Sequence, residues 1–195
     1  MDNVSNLISG GVIKMYVGKK IKQPFVELAM DLLDSDKIDP FLDFAKFVEE
    51  NPLTSCKGGG RYSRLINYKR NTVCILNLNS IKRYTPDGSW SIVPNSLYFY
   101  DYDKYVTDEN LKEFIINSIN FIKCRGCDGA GCHGGRENWG KDNLTIFGKN
   151  FKNVCNGFPL MIISPSGKAL EHTKELILIT KNIINDQLTN GREIS

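Results

Sequence analysis

The chain lacks any long apolar run. Its densest apolar stretch, Phe158 to Ile163, is six residues and includes Pro159, far short of the roughly 20 residues a bilayer-spanning helix needs. The first seventeen residues contain no basic segment followed by an apolar core, because Lys14 breaks Val12–Val17. No export signal is therefore expected, and the chain reads as cytoplasmic with no membrane partner. An excess of one charge is also missing. Twenty-five basic residues face 22 acidic ones, a formal net charge of +3, too little to argue for nucleic acid or an anionic surface. Histidine is scarce, with only His133 and His172. Gly-x-Ser-x-Gly, Walker and dinucleotide fingerprints are all absent, so no hydrolase elbow, phosphate loop or dinucleotide site is expected. No repeat, low-complexity tract or shift in composition marks a linker.

What remains is the composition of an ordinary globular protein, 41% hydrophobic and 24% charged. A length of 195 residues suits one domain, long enough to bury a core without cross-links for bulk stability. The expected extent is 1–188, with 189–195 as a frayed tail. Val12–Val17 is a candidate short strand. Phe25, Leu28, Ala29, Leu32 and Leu33 recur at helical offsets of three and four. Asp39-Pro40 suggests the start of a second helix, Asp as N-cap and Pro at the first helical position, with Phe41, Phe44, Ala45 and Val48 on one face and Asn51-Pro52 as the stop. Thr54–Gly60 reads as a loop. Its Lys57-Gly58-Gly59-Gly60-Arg61 run suits a turn better than a phosphate cradle, since no Lys-Ser/Thr follows.

A β region comes next. Tyr62–Tyr68, Thr72–Leu78, Ile81–Tyr84 and the stretch at Trp90 and Ile92 read as strands, punctuated by Lys69-Arg70-Asn71 and Pro86-Asp87-Gly88. Short turns between close strands imply an antiparallel meander. Cys74 falls inside the best strand, as a small buried hydrophobe. The rings of Tyr98, Phe99, Tyr100, Tyr102 and Tyr105 are expected to pack against the sheet, because Asp101 and Asp103 among them would repel a nucleic-acid backbone. Thr107 caps a helix expected over 107–123. Leu144–Gly148 and Phe158–Ser164 read as strands, and Ser164-Pro165 opens a last helix with Leu170, Thr173, Leu176, Ile177, Thr180, Ile183 and Ile184 at core spacing. The order implies an α+β fold, an antiparallel sheet covered by helices, with a glycine-rich cysteine cluster closing the C-terminal half.

That cluster, Cys124-Arg-Gly-Cys127-Asp-Gly-Ala-Gly-Cys132-His133, holds the most concentrated chemistry in the chain. In a reducing compartment clustered thiols are more often ligands than disulfides. Cys-x-x-Cys lets two sulfurs turn inward on one ion, Gly126, Gly129 and Gly131 permit tight turns, and Cys132 follows within reach. Cys155 is the expected fourth ligand and His133 the alternative, since adjacent side chains such as Cys132 and His133 diverge. Four protein ligands would make the zinc structural, with no open position for catalysis. The rival use is a redox dithiol, Cys124/Cys127. Such pairs normally sit at a helix N-terminus, whereas Cys124 follows the expected helix.

Cys124–Gly131 resembles one copy of the Cys-x-x-Cys-x-Gly-x-Gly repeat of the DnaJ cysteine-rich region, which pairs several copies to make its zinc sites. Cys-x2-Cys-x4-Cys resembles the start of a retroviral-type zinc knuckle, although Cys132 and Glu137 stand where that pattern has His and Cys. More broadly, Tyr105–Glu109, the cluster, and Thr145-Ile-Phe-Gly-Lys-Asn-Phe-Lys-Asn-Val-Cys155 resemble a group of uncharacterised small clostridial-type bacterial proteins. That resemblance implies a link between the cluster and Cys155 and implies no substrate. Elsewhere, Trp90, Tyr62 and Trp139 are candidates to line an apolar pocket with Arg61 or Arg64 at its mouth. His172 is expected at a boundary, with no spacing that favours a nucleophilic pair with Cys155. The leading expectation is a non-enzymatic, zinc-stabilised domain that binds a small molecule or a protein. A thiol-dependent redox protein is the alternative, and a weak nucleic-acid binder using Lys57, Arg61, Arg64, Lys69 and Arg70 a further one.

Overall fold

The computed structural model describes residues 21, 23–59, 61–78, 86–119, 141–155 and 158–190. The expected strands at Val12–Val17 and Ile81–Tyr84, Trp139 and the tail beyond residue 190 lie outside these. Helices α1 (Gln23–Leu32) and α2 (Ser35–Glu50) lead into strands β1 (Thr54–Lys57), β2 (Ser63–Tyr68), β3 (Asn71–Leu78) and β4 (Trp90–Pro94). A 3-10 helix (Ser96–Asp101), a short α3 (Tyr102–Tyr105) and α4 (Glu109–Asn117) follow. Then come β5 (Lys141–Ile146), β6 (Lys149–Cys155), β7 (Ile162–Ile163) and the long α5 (Gly167–Thr189). One antiparallel sheet has the order β1-β2-β3-β4-β7, and β5 and β6 form a separate hairpin. The fold is α+β and its first four strands are a meander, as their turn spacing implies.

Register explains where the core sits. The pairs Ile66–Cys74, Leu76–Ile92, Leu78–Trp90 and Ile92–Ile162 set one set of side chains on one face of the sheet, and all of them are buried. Trp90 is fully enclosed. Phe41 of α2 meets it edge-on at 5.6 Å, and Phe44 lies 5.9 Å from it. Such aromatic pairs each add about 0.5–1.5 kcal/mol beyond area burial. Trp90 is thus a core residue and does not line a ligand pocket. Tyr62 is half-buried against the same core. Helix α5 buries Leu170, Thr173, Leu176, Ile177, Thr180, Ile183 and Ile184, the face its periodicity marks out. Its two buried threonines return their hydroxyls to carbonyls four residues back, Thr173 to Ala169 and Thr180 to Leu176, so neither leaves a polar group unpaired. Because the Thr180 hydroxyl donates to Leu176, the buried Tyr102 hydroxyl donates to Thr180 Oγ1 at 3.0 Å. Burial pushes the Tyr102 phenol well above its ordinary pKa, so it stays a donor. Of the other rings after β4, Tyr98 and Phe99 are buried and Tyr100 is exposed.

Several element ends differ from expectation. Helix α2 begins at Ser35, not Pro40, which stands inside the helix. Asp34 is the extended residue before it, its N–H bonded to the Gly88 carbonyl at 3.0 Å and its carboxylate paired with Lys37. Gly88 is at φ +70°, and a Cβ there would collide with the Asp34 carboxylate, so the Pro86-Asp87-Gly88 turn against the start of α2 favours glycine. Thr54–Lys57 is an edge strand, not a loop. Asp108, not Thr107, caps α4 by accepting the Leu111 N–H at 2.8 Å. Ser166, not Ser164, precedes α5.

Two stability predictions follow from these contacts. The β2–β3 turn holds Lys69 and Arg70 at φ 46° and 71°, the paired positive-φ geometry of a tight hairpin that favours Asn-Gly. Arg70→Gly should stabilise the fold by roughly 0.5–1 kcal/mol after the added unfolded-state entropy of glycine. A lower urea midpoint in that variant would refute the strain. Tyr102→Phe should destabilise by about 1 kcal/mol, and an unchanged midpoint would show that the Tyr102–Thr180 bond contributes nothing.

Candidate functional site

Cys124, Cys127, Cys132 and His133 lie outside the described residues. Cys155 is placed at the end of β6, where its backbone pairs with Lys141 of β5. It therefore belongs to a strand and does not stand between two, as the reading of Leu144–Gly148 and Phe158–Ser164 as the flanking strands implies. The expected 107–123 helix stops at Asn117. Ser118 turns the chain, its hydroxyl and N–H both returning to the Phe114 carbonyl. Ile119 then forms an isolated antiparallel bridge with Leu160, next to a Met161 N–H bond to the Ser118 carbonyl at 3.3 Å. The helix thus ends short of Cys124, and its dipole is no argument about that thiol, since the effect fades within the last turn. Both flanks of the cysteine segment are pinned to the same later stretch of chain, the earlier flank to Leu160 and the later one to Cys155.

Among the described residues no three or more His, Cys, Asp or Glu side chains converge as metal ligands. Cys74 is buried in β3, where desolvation pushes its thiol far up, and it is inert. Cys56 is exposed on the edge strand and accepts from Asn67 Nδ2 at 3.2 Å. His172 packs its ring against Phe114 at 5.4 Å, with Nδ1 3.7 Å from Glu175, a boundary position as expected. The basic 57–70 segment is partly turned inward: Arg64 lies over the Phe25 ring at 4.3 Å, Arg61 over Tyr62 and Lys69 over Tyr68. No helix among the described residues is long and apolar enough to cross a membrane.

A second feature was not visible in the sequence. Helix α4 and the β5–β6 turn enclose a groove of about 630 Å³, lined by Asp103, Glu109, Lys112, Glu113, Ile116, Asn117 and the turn residues Phe147 to Lys149. The groove exists because the β5–β6 turn is held against α3: the Phe147 N–H donates to Asp103 Oδ1. Phe147 and Gly148 both have positive φ, 49° and 69°. Such a conformation is uncommon for a bulky side chain. The Lys112 ammonium pairs with Glu109 at 2.7 Å and lies 5.9 Å from the Phe147 ring centre. Sequence reading took Leu144–Gly148 wholly as strand, which hid the turn and with it the groove. The turn and Cys155 lie at opposite ends of β6, on the order of 20 Å apart at ~3.3 Å per residue, so the groove and the cysteine position are separate places.

The cap of α4 sets a pH dependence beside this groove. The Asp108 carboxylate is held below its ordinary pKa, chiefly by the Leu111 N–H it accepts. A carboxylate with a lowered folded-state pKa stabilises the fold above its unfolded pKa, and that contribution is lost as pH falls through the folded value. Amide-exchange protection of Leu111 should therefore fall on acidification below about pH 4 and should be flatter in Asp108→Asn. Identical acid profiles for both proteins would remove Asp108 from the account. Comparison of the chain with protein-family models, with curated proteins and with solved structures finds no match.

Proposed function

We propose that this chain is a non-enzymatic binding domain whose C-terminal half is clasped by one structural zinc ion on Cys124, Cys127, Cys132 and Cys155. One observation carries the reading beyond the donor spacing. The Ile119–Leu160 bridge is antiparallel, Cys124 stands five residues after Ile119, and Cys155 stands five before Leu160. That bridge and the Lys141–Cys155 pair tether both flanks of the segment that carries the other three thiols to the 155–160 stretch. Cys124, Cys127, Cys132 and Cys155 would together make a tetrahedral set of soft donors, and the resemblance to the clostridial-type group implies the link between the cluster and Cys155. A closed four-thiolate site has no position for substrate, so the metal holds structure. The job of the domain is binding a small molecule or a partner, in a cytoplasm that keeps the thiols reduced.

Protein purified without chelator should contain about one zinc per chain, with four of its six cysteines slow to react until the metal is removed. Cys155→Ser should lower zinc content and reduce Tm by about 5 °C or more, as Cys124→Ser does. Metal-free protein with an easily reduced Cys124–Cys127 disulfide would overturn the proposal in favour of redox chemistry. Full zinc content and an unchanged Tm in Cys155→Ser would replace Cys155 by His133.

A further inference from the structure

From the groove between α4 and the β5–β6 turn we infer a recognition site for a short peptide zwitterion, a di- or tripeptide with free termini and an apolar side chain. The inference rests on reading the chain as a binding domain, but it is independent of the metal. The charges that line the groove fall into two groups. Asp103 is engaged with the Phe147 N–H, and Glu109 with Lys112. Glu113 and Lys149 are different: neither has an ion-pair or hydrogen-bond partner among the described residues, and they do not pair with each other. The groove lining therefore offers one exposed carboxylate and one exposed ammonium, neither with a counter-charge among the described residues.

The rest of the lining is mixed in character. Ile116 and Phe147 supply apolar surface, with the Phe147 ring half-buried against the core. Asn117 adds an amide with no partner among the described residues, able to donate to and accept from one peptide group. The ligand that satisfies this set has an ammonium for Glu113, a carboxylate for Lys149, a peptide bond for Asn117 and an apolar side chain for Phe147 and Ile116. At about 630 Å³ the space is in the range of small-ligand sites. It is larger than one amino acid needs and open enough to admit a chain end. The left-handed Phe147 fits the same reading. That position of the turn favours Asn or Gly, and a phenylalanine there contributes a ring to the groove wall at the expense of backbone strain.

The test uses the protein as purified without chelator and the dipeptide Ala-Phe, with its N-acetyl and C-terminal amide derivatives as controls. Titration followed by the backbone amide signals of Phe147, Gly148 and Asn117 should be saturable for Ala-Phe. Each capped derivative should bind roughly tenfold more weakly, the loss expected when a charge-assisted hydrogen bond is removed. In Glu113→Gln the free and N-acetylated peptides should bind alike, and in Lys149→Gln the free acid and amide should bind alike. Both variants should keep wild-type zinc content and Tm, so failure here is distinguishable from failure of the metal site. Absence of saturable shifts, equal binding of all three peptides to the wild type, or shifts that map away from the groove would each overturn the inference.

Discussion

The structure depends on burying one face of a short antiparallel sheet under helices that arrive from both ends of the chain. Helix α5 is the hub of that arrangement, with contacts to β3, α2, α3, α4 and the 3-10 helix. A single amphipathic stripe does this work. Its aliphatic members contribute on the order of 1.5–3 kcal/mol each through burial, and its two threonines are silenced by bonds to their own helix. Polar contacts then fix α5 along its length. Lys174 reaches Asp43 of α2 at 2.9 Å, and Thr180 accepts from Tyr102. Near its end Asn185 accepts from Tyr68 and Lys69, and Asp186 from Tyr105. The Lys174–Asp43 ion pair adds little stability by itself, but with the hydrogen bonds it holds α5 in place with its apolar stripe inward.

This packing has a consequence for function. Among the described residues, Trp90, Phe41 and Phe44 pack the core at the α2 side and α5 packs it along the sheet. A zinc clasp would accordingly secure the α4-to-β6 region and would not be needed to create the domain, consistent with a chain of this size. The β5–β6 hairpin stands apart from the main sheet. It carries the groove at its turn and Cys155 at its open end, so a device that anchored the open end would also steady the groove.

Periodicity was the most legible signal, and tertiary pairing the least. The buried face of α5 can be read residue by residue, because a 23-residue helix repeats its pattern often enough to outweigh two polar members. The meander was equally readable from its turns, two of which carry positive-φ residues where Lys-Arg and Pro-Asp-Gly stand. By contrast, β1 and β6 have the compositions Thr-Ser-Cys-Lys and Lys-Asn-Phe-Lys-Asn-Val-Cys. Neither alternates in hydrophobicity, and both are strands because a neighbour offers a free edge, which a one-dimensional pattern does not record. Helix starts were misplaced for a related reason. Asp39-Pro40 has the form of a start signal, yet Asp34 beside Gly88 sets the start earlier through a contact distant in sequence. The groove draws on α3, α4 and a turn, and only folding brings them together.

The central claim is the identity of the clasp, and X-ray absorption at the zinc K-edge of the purified protein tests it most directly. The account predicts four sulfur scatterers at about 2.3 Å with no nitrogen or oxygen in the first shell. Three sulfurs with one imidazole nitrogen would move the fourth ligand from Cys155 to His133. A shell dominated by oxygen, or no bound zinc at all, would contradict the account.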